Sequence, residues 1–518
     1  MKSWLNKDGN DICARGDRSF YFLLLLISVA SLLLMIKSGS ETGLWNDEFA
    51  TIVSLHRHDI YFREWVSAMQ FSDYQTGLNF YLIAARIWYS IVPLSDNWLL
   101  LMSEIMVAIS VFFVGLAGRV IRNGKCGILA AVLYAFSYQL FEIGHEFRFY
   151  PWLVLFTAAA FYYYCKTTIE ETPKWRYIIL FGLAMGLAVN GQILAGFLPI
   201  VFFFADCILI NRKKKKARAL ISYLIALPFA LFPLMALIST YRDSYGEGVS
   251  HLAKIGDSSI AGLFGLTNEL WLGNQIWIAV ITYIAFALGL YVTFSLAKGN
   301  GYSVTGTFRQ QYLFSFCSIA PVICILMNFI LVRASGEVAN IFAERYFQYL
   351  YPLMFIAVSF VIILAFEHIH INKTQFAIIA IGIALFLAVH TYNLSYNDPK
   401  FPGIKGEAEW VIQHSEIIGD DALVVLPYYV SNRGEVIRQI YFKGKYFYGI
   451  IKPHPFNSVT EEIIVSLSKP TIVTFDSSMR ASSEEVLERY YSIIYRDESM
   501  GATVWKLKEG NIIDNDSL

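Results

Sequence analysis

The sequence reads as a polytopic α-helical membrane protein of about eleven transmembrane helices, followed by a C-terminal soluble α/β domain. Three observations carry that reading: the composition, the spacing of long apolar runs, and a change of pattern near Asn397. Of 518 residues, 56% are apolar and 16% aromatic, and mean hydropathy is positive. A chain of this length could hold several soluble domains, but such a composition is that of a protein dissolved in lipid. Lys+Arg and Asp+Glu are both 41, so net charge points to no partner, and in particular to no nucleic acid.

The elements follow in order. Residues 1–19 form a polar tail, and the first apolar run, Phe20 to Ile36, lacks a small-residue cleavage site before Trp45, as expected of a retained signal anchor. In hydrocarbon every backbone group must be satisfied within the segment, which leaves helices of about 20 apolar residues. Such runs lie near 20–37, 98–118, 126–143, 150–166, 176–189, 191–211, 218–239, 274–297, 312–332, 346–366 and 374–393. Residues 77–94 read as an amphipathic helix lying in the outer interface, where Arg86, Tyr81, Trp88 and Tyr89 suit the headgroup depth.

Leaving 77–94 out of the span count puts Arg119, Arg122 and Lys125, then Lys166, Lys174 and Arg176, then Lys213–Lys216 on one side with the N-terminal tail. Short cytoplasmic loops carry such an excess of basic residues. The tail 1–19 is then cytoplasmic, 20–396 is the transmembrane domain, and segments 38–97, 142–150, 240–273 and 333–345 face outward with the domain 397–518. That last domain alternates helical EAEWVIQHSEIIG and EEVLERYY with strand-like ALVVLPYY, PTIVTF and ATVWKL. The six cysteines lie in the tail or in apolar segments without metal-ligand spacing, and read as free thiols.

Chemistry concentrates on the outward side. Loop 38–97 opens on LWNDEF, placing Asp47 and Glu48 at the membrane surface, where they are either solvated acids beside an interfacial Trp or a carboxylate able to deprotonate an acceptor hydroxyl. The second outward segment, FEIGHEFRFYPW, packs Glu142, His145, Glu146, Arg148 and Tyr150 into nine residues, more than headgroup anchoring requires. A guanidinium there suits phosphate, and carboxylates suit a sugar or a metal ion. Segment 333–345 carries Glu337, Glu344 and Arg345, with Arg345 and Tyr346 either binding a phosphate headgroup or marking the interface. Segment 240–273, rich in Gly and Ser with His251 and Lys254, reads as a loop able to order over a ligand. The Lys213–Lys216 run serves topology and anionic-lipid contact.

In their order these motifs resemble the GT-C glycosyltransferases, in particular the branch of the lipid A aminoarabinose transferase and the protein O-mannosyltransferases. In that family the first external loop carries an acidic motif after the first helix, here LWNDEF with Asp47 leading. A juxtamembrane helix introduced by a proline pair follows, whereas this chain has TGLNFYLIAARIWY, with Gly77, Leu78 and Asn79 at the prolines' place. The acid and Arg-x-Tyr of the second loop are matched by Glu146, Arg148 and Tyr150. A late Arg-Tyr before a helix is matched by Arg345 and Tyr346.

The resemblance implies a polyprenyl-phosphate-linked sugar as donor and an envelope glycan, lipid or protein as acceptor, used at the outer face of a bacterial inner membrane. It implies Asp47 as general base, with Glu48 beside it, and Arg148, Arg345 and Tyr346 as donor-phosphate ligands. His145, Glu146, Tyr150, His251 and Lys254 would line the substrate. Some relatives use a divalent metal, Mg or Mn, for which Asp47, Glu146 and Glu337 would be the ligands. Without the family, the residues support a transporter or flippase of lipid-linked glycans, or a glycan polymerase or ligase, almost as well.

Overall fold

The structure is a computed structural model. It describes residues 16–40, 42–44, 46–55, 79–170, 173–209, 220–231, 259, 261–263, 265–266, 276–297, 308–334, 344–397, 403–426, 434–450, 469–476 and 481–509. The chain divides into two compact units, one of Met1–Ser38, Ile60–Ala85 and Leu101–Asn397, the other of Gly39–Asp59, Arg86–Leu100 and Asp398–Leu518.

The first unit is helical. Its helices are α1 (Gly16–Gly39), the start of the amphipathic α3 (Phe80–Ile91), most of α4 (Asp96–Ile121), α5 (Gly124–Ala135), α6 (Tyr138–Gly144), α7 (Tyr150–Ile169), α8 (Trp175–Gly191), α9 (Phe197–Leu209), α10 (Leu220–Leu231), α11 (Ile276–Ala297), α12 (Phe308–Ala334), α13 (Tyr351–His368) and α14 (Lys373–Asn397). The second unit supplies α2 (Asn46–Leu55).

Five of the described helices are long and apolar enough to cross a membrane, and six if the bent pair α5–α6 counts as one span. Shorter apolar helices include α3, α8, α10 and a stretch of α11. Large apolar side chains stand exposed along α1 and α14, including Phe22, Leu33, Ile378, Leu385 and Phe386. In a soluble fold such stripes would be unsatisfied; against lipid they are solvated.

Close packing uses small residues, since the hydrophobic effect does not separate one apolar helix from lipid tails. A Cβ on Gly127 would stand 2.4 Å from the Gly115 carbonyl oxygen, and one on Gly118 would stand 3.1 Å from the Gly127 Cα. Phe202 stacks on Phe316 with centroids 4.5 Å apart, and Phe314 on Phe360 at 4.2 Å. Among these apolar groups the Asp206 carboxylate accepts from Tyr164 Oη at 2.7 Å and Tyr223 Oη at 3.0 Å, so a buried acid is hydrogen-bonded across helices.

The run 126–143, expected as one span, is instead broken, with α5 and α6 meeting at 61°. Ser137 has an extended backbone at the break, which ends the i→i−4 ladder and strands carbonyls in lipid-depth protein. Two neighbours satisfy them: Ser31 Oγ donates to the Ala135 carbonyl at 2.9 Å, and Thr391 Oγ1 to the Phe136 carbonyl at 2.7 Å. The bend therefore follows from side chains far off in sequence.

The second unit holds a five-stranded mixed sheet of order β2-β1-β3-β5-β4, with strands Ala422–Leu426, Phe447–Ile450, Thr471–Phe475, Tyr491–Asp497 and Ala502–Leu507 numbered along the chain. β1 pairs in parallel with β2 and β3, while β3–β5 and β5–β4 are antiparallel. Leu423, Val425, Ile472, Leu487, Tyr491 and Trp505 form its core, and Trp505 Nε1 donates to Thr474 Oγ1 at 2.9 Å. Helices α15 (Gly403–Gln413), α16 (Ser415–Ile418) and α17 (Gly434–Ile440) belong to this unit, as do the segments 39–59 and 86–100.

Candidate active site

In the first unit, the loop His145–Phe149 is fixed from both ends. Upstream, the α5–α6 bend aims the chain; downstream, Pro151 in the first turn of α7 starts a new helix where no intrahelical donor is needed. Between them His145 is buried, its Nε2 lying 3.0 Å from the Met35 carbonyl oxygen and its Nδ1 3.3 Å from Ser395 Oγ. A carbonyl only accepts, so Nε2 donates to Met35. His145 thus ties α1 to α14. Ser103 Oγ donates to the Glu146 carbonyl at 2.6 Å and holds the next residue to α4.

Tyr150 opens the next helix. It is 2% exposed and lies in the electrostatic range of Arg148, Glu146, Tyr346 and Arg345. Glu146 and Arg148 are buried, while Arg345 and Tyr346 are half-buried. The Arg345 guanidinium sits 5.1 Å from the Tyr346 ring centroid and donates to its hydroxyl at 3.3 Å; that of Arg148 sits 5.4 Å from the Phe149 centroid. Arg345 and Tyr346 belong to a 3-10 turn, Glu344–Leu350, that packs on α7 and leads into α13. At the start of α13 the Tyr351 hydroxyl donates back to Glu344. Two guanidinium groups held in a poorly solvated setting can stabilise an anion that develops there.

The missing proline pair has a structural counterpart. The Phe80 amide donates to Asn190 Oδ1 at 2.7 Å, and the Tyr81 amide to Asn79 Oδ1 at 2.9 Å. Proline at a helix start removes donors that would otherwise be orphaned; here two asparagines satisfy them. Tyr81, in the first turn of α3, packs edge-on against Phe147 and Trp152, at 6.4 and 6.5 Å, so this helix start abuts the same loop. Asn190, far away in sequence, carried no local signal.

In the second unit, the acids of LWNDEF stand in the first turn of α2, where the helix dipole favours negative charge. Asp47 is half-buried and Glu48 fully buried. Phe49, Ile52 and Leu55 are also buried, at helical spacing. Tyr441, just after α17, receives the Leu44 amide at 2.8 Å and packs edge-on to Phe49 at 6.3 Å. Burial, and secondarily the Asp96 charge, push its hydroxyl well above the usual tyrosine range, so it stays a neutral phenol. Lys405 and Asp96 form an ion pair at 2.9 Å, with both side chains 11% exposed.

His251, Lys254 and Glu337 lie outside the described residues. Among the described residues no three carboxylate, imidazole or thiol groups are gathered as a divalent cation requires.

Three comparisons bear on these findings. Residues 80–239 match the family model described as dolichyl-phosphate-mannose-protein mannosyltransferase. The fold is similar to that of ArnT from Cupriavidus metallidurans, solved bound to undecaprenyl phosphate, with TM-score 0.57 and 10% identity over 94% of this chain and 98% of that one. It is also similar to the Archaeoglobus fulgidus oligosaccharyltransferase, solved with zinc and sulfate, with TM-score 0.50 and 14% identity over 94% of this chain and 73% of that one. A search of curated protein sequences gives no match. The chain therefore has the GT-C glycosyltransferase fold and resembles its aminoarabinose-transferase and protein O-mannosyltransferase branch.

Proposed function

We propose that this protein is an integral-membrane glycosyltransferase that moves a sugar from a polyprenyl-phosphate donor to an acceptor hydroxyl at the outer face of a bacterial inner membrane. The observation that carries the reading is that the turn bearing Arg345 and Tyr346 packs on α7, which starts directly after the buried Glu146 and Arg148, within a GT-C fold. The solved relative bound to undecaprenyl phosphate supports a donor of that lipid class.

The chemistry is an inverting displacement. Asp47 takes the acceptor hydroxyl proton as the acceptor oxygen forms its bond to the anomeric carbon. The bond from that carbon to the phosphate oxygen breaks, and polyprenyl phosphate leaves with the electron pair. Arg345 and Arg148, with Tyr346, meet its negative charge, where fixed cations act most strongly because water is scarce. Glu48, enclosed beside Tyr441, shapes the base's surroundings, and His145 holds the loop that presents Glu146 and Arg148. His251 and Lys254 are assigned to a loop that orders over the bound substrate. The N-terminal tail is cytoplasmic and the sheet domain external.

The test is to incubate purified protein with undecaprenyl-phosphate-linked sugars, mannose and aminoarabinose among them, together with envelope acceptors. Released undecaprenyl phosphate is followed by mass spectrometry. Turnover with one donor is the expected result. Absence of turnover with all of them, together with movement of a lipid-linked glycan across vesicles, would replace the enzyme with a carrier.

A further inference from the structure

The Asp47 segment meets residues that lie far along the chain. At its start the Thr42 amide donates to the Gly39 carbonyl at 3.0 Å. Two of its contacts come from residues more than three hundred positions later. Lys405 Nζ donates to the Ser40 carbonyl and pairs with Asp96 at 2.9 Å, joining the segment to residues 86–100. Tyr441 Oη accepts the Leu44 amide at 2.8 Å, three residues before Asp47, and its ring meets that of Phe49, two residues after.

The Tyr441 contacts stand on both sides of Asp47 in the sequence, at Leu44 and at Phe49 in α2. Successive helical residues are about 100° apart, so a rotation of that size exchanges the places of neighbours. The observed rotation buries Glu48 and Phe49 and leaves Asp47 half-buried. Base catalysis requires the carboxylate at the acceptor hydroxyl, and displacement by about 1 Å costs up to ~100-fold in rate.

We propose that Lys405 and Tyr441 are positioning residues for Asp47, and that the C-terminal sheet domain serves the transfer step by holding the first external segment in register. This rests on the reading of Asp47 as general base.

The test uses full-length protein in detergent or nanodiscs and two independent readouts. Hydrogen exchange of peptides covering residues 40–55 is measured for wild type, Tyr441→Phe, Lys405→Met and Lys405→Arg, with Lys469→Met as a comparison. Lys469 pairs with Asp421 at 2.6 Å in the same unit and makes none of these contacts. Turnover is measured with the undecaprenyl-phosphate sugar that is active in the donor screen.

Tyr441→Phe and Lys405→Met are expected to raise exchange across 40–55 and lower kcat by about 10- to 100-fold with donor KM unchanged. Lys405→Arg should recover most of both, and Lys469→Met should change neither. Wild-type exchange in Tyr441→Phe and Lys405→Met overturns the positioning role whatever the turnover. Raised exchange with wild-type kcat overturns instead the assignment of Asp47 as base, and with it the catalytic purpose of these contacts.

Discussion

At the scale of single residues, the site separates groups that LWNDEF and FEIGHEFRFYPW leave equivalent. Asp47 and Glu48 are adjacent acids, yet one is half-buried and the other enclosed beside Tyr441. Asp47→Asn should abolish sugar transfer while leaving membrane insertion and thermal stability intact; retained activity would sink the general-base assignment. Arg345→Ala should raise donor KM at least tenfold and leave acceptor KM unchanged, as loss of a charge-assisted contact to phosphate predicts; equal effects on both substrates count against a phosphate role. His145 shows the reverse case. A histidine in a candidate loop invites a catalytic reading, but its ring bridges Met35 and Ser395, so His145→Ala should lower stability as well as rate.

One residue of the sheet domain gives a pH dependence. Asp497 accepts from Ser499 and from Trp410 Nε1 at 2.8 Å, and these bonds hold its carboxyl down at about 2. Because the folded value lies below the unfolded one, its contribution is complete above about pH 4 and is lost as pH falls toward 2. Thermal unfolding of wild type should therefore weaken across that window, and Asp497→Asn should remove that part of the dependence.

Among elements, helix starts and crossings carry the argument. The amphipathic α3 begins on two asparagine caps where related proteins are expected to use prolines. Asn190→Ala would strand the Phe80 amide at a cost of about 1–3 kcal/mol, and its signature would be a lowered melting temperature together with increased exchange at residues 79–83. The α4–α5 crossing depends on glycine for space. Gly127→Ala drives a Cβ into the backbone of Gly115, which cannot rotate away as a side chain could, so the helices must separate. A lower melting temperature in detergent is expected, and an unchanged one would show that the crossing is looser than drawn.

For the molecule entire, the membrane-facing apolar stripes and the GT-C fold agree with the long apolar runs visible in the sequence. The side assigned to each loop remains the proposal made from basic residues. Cysteines placed at Ile91 and Lys166 should react with impermeant reagents from opposite faces of a sealed vesicle, Ile91 from outside. Labelling of both from one face would overturn that topology.

Composition and periodicity made the helices legible, because lipid demands long apolar runs and short loops display their charge. Acidic and Arg-Tyr motifs were legible for the same reason: ionisable groups at a membrane surface stand out against an apolar background. The broken α5–α6 span was not, since Ser31 and Thr391, which satisfy its freed carbonyls, lie about a hundred and more than two hundred residues away. Nor were Asn190, Lys405 and Tyr441, whose roles depend on which backbone donor or acceptor the fold brings to them. Local chemistry announces a base or a cation; what holds it in place is distributed along the chain, and becomes readable when folding joins the parts.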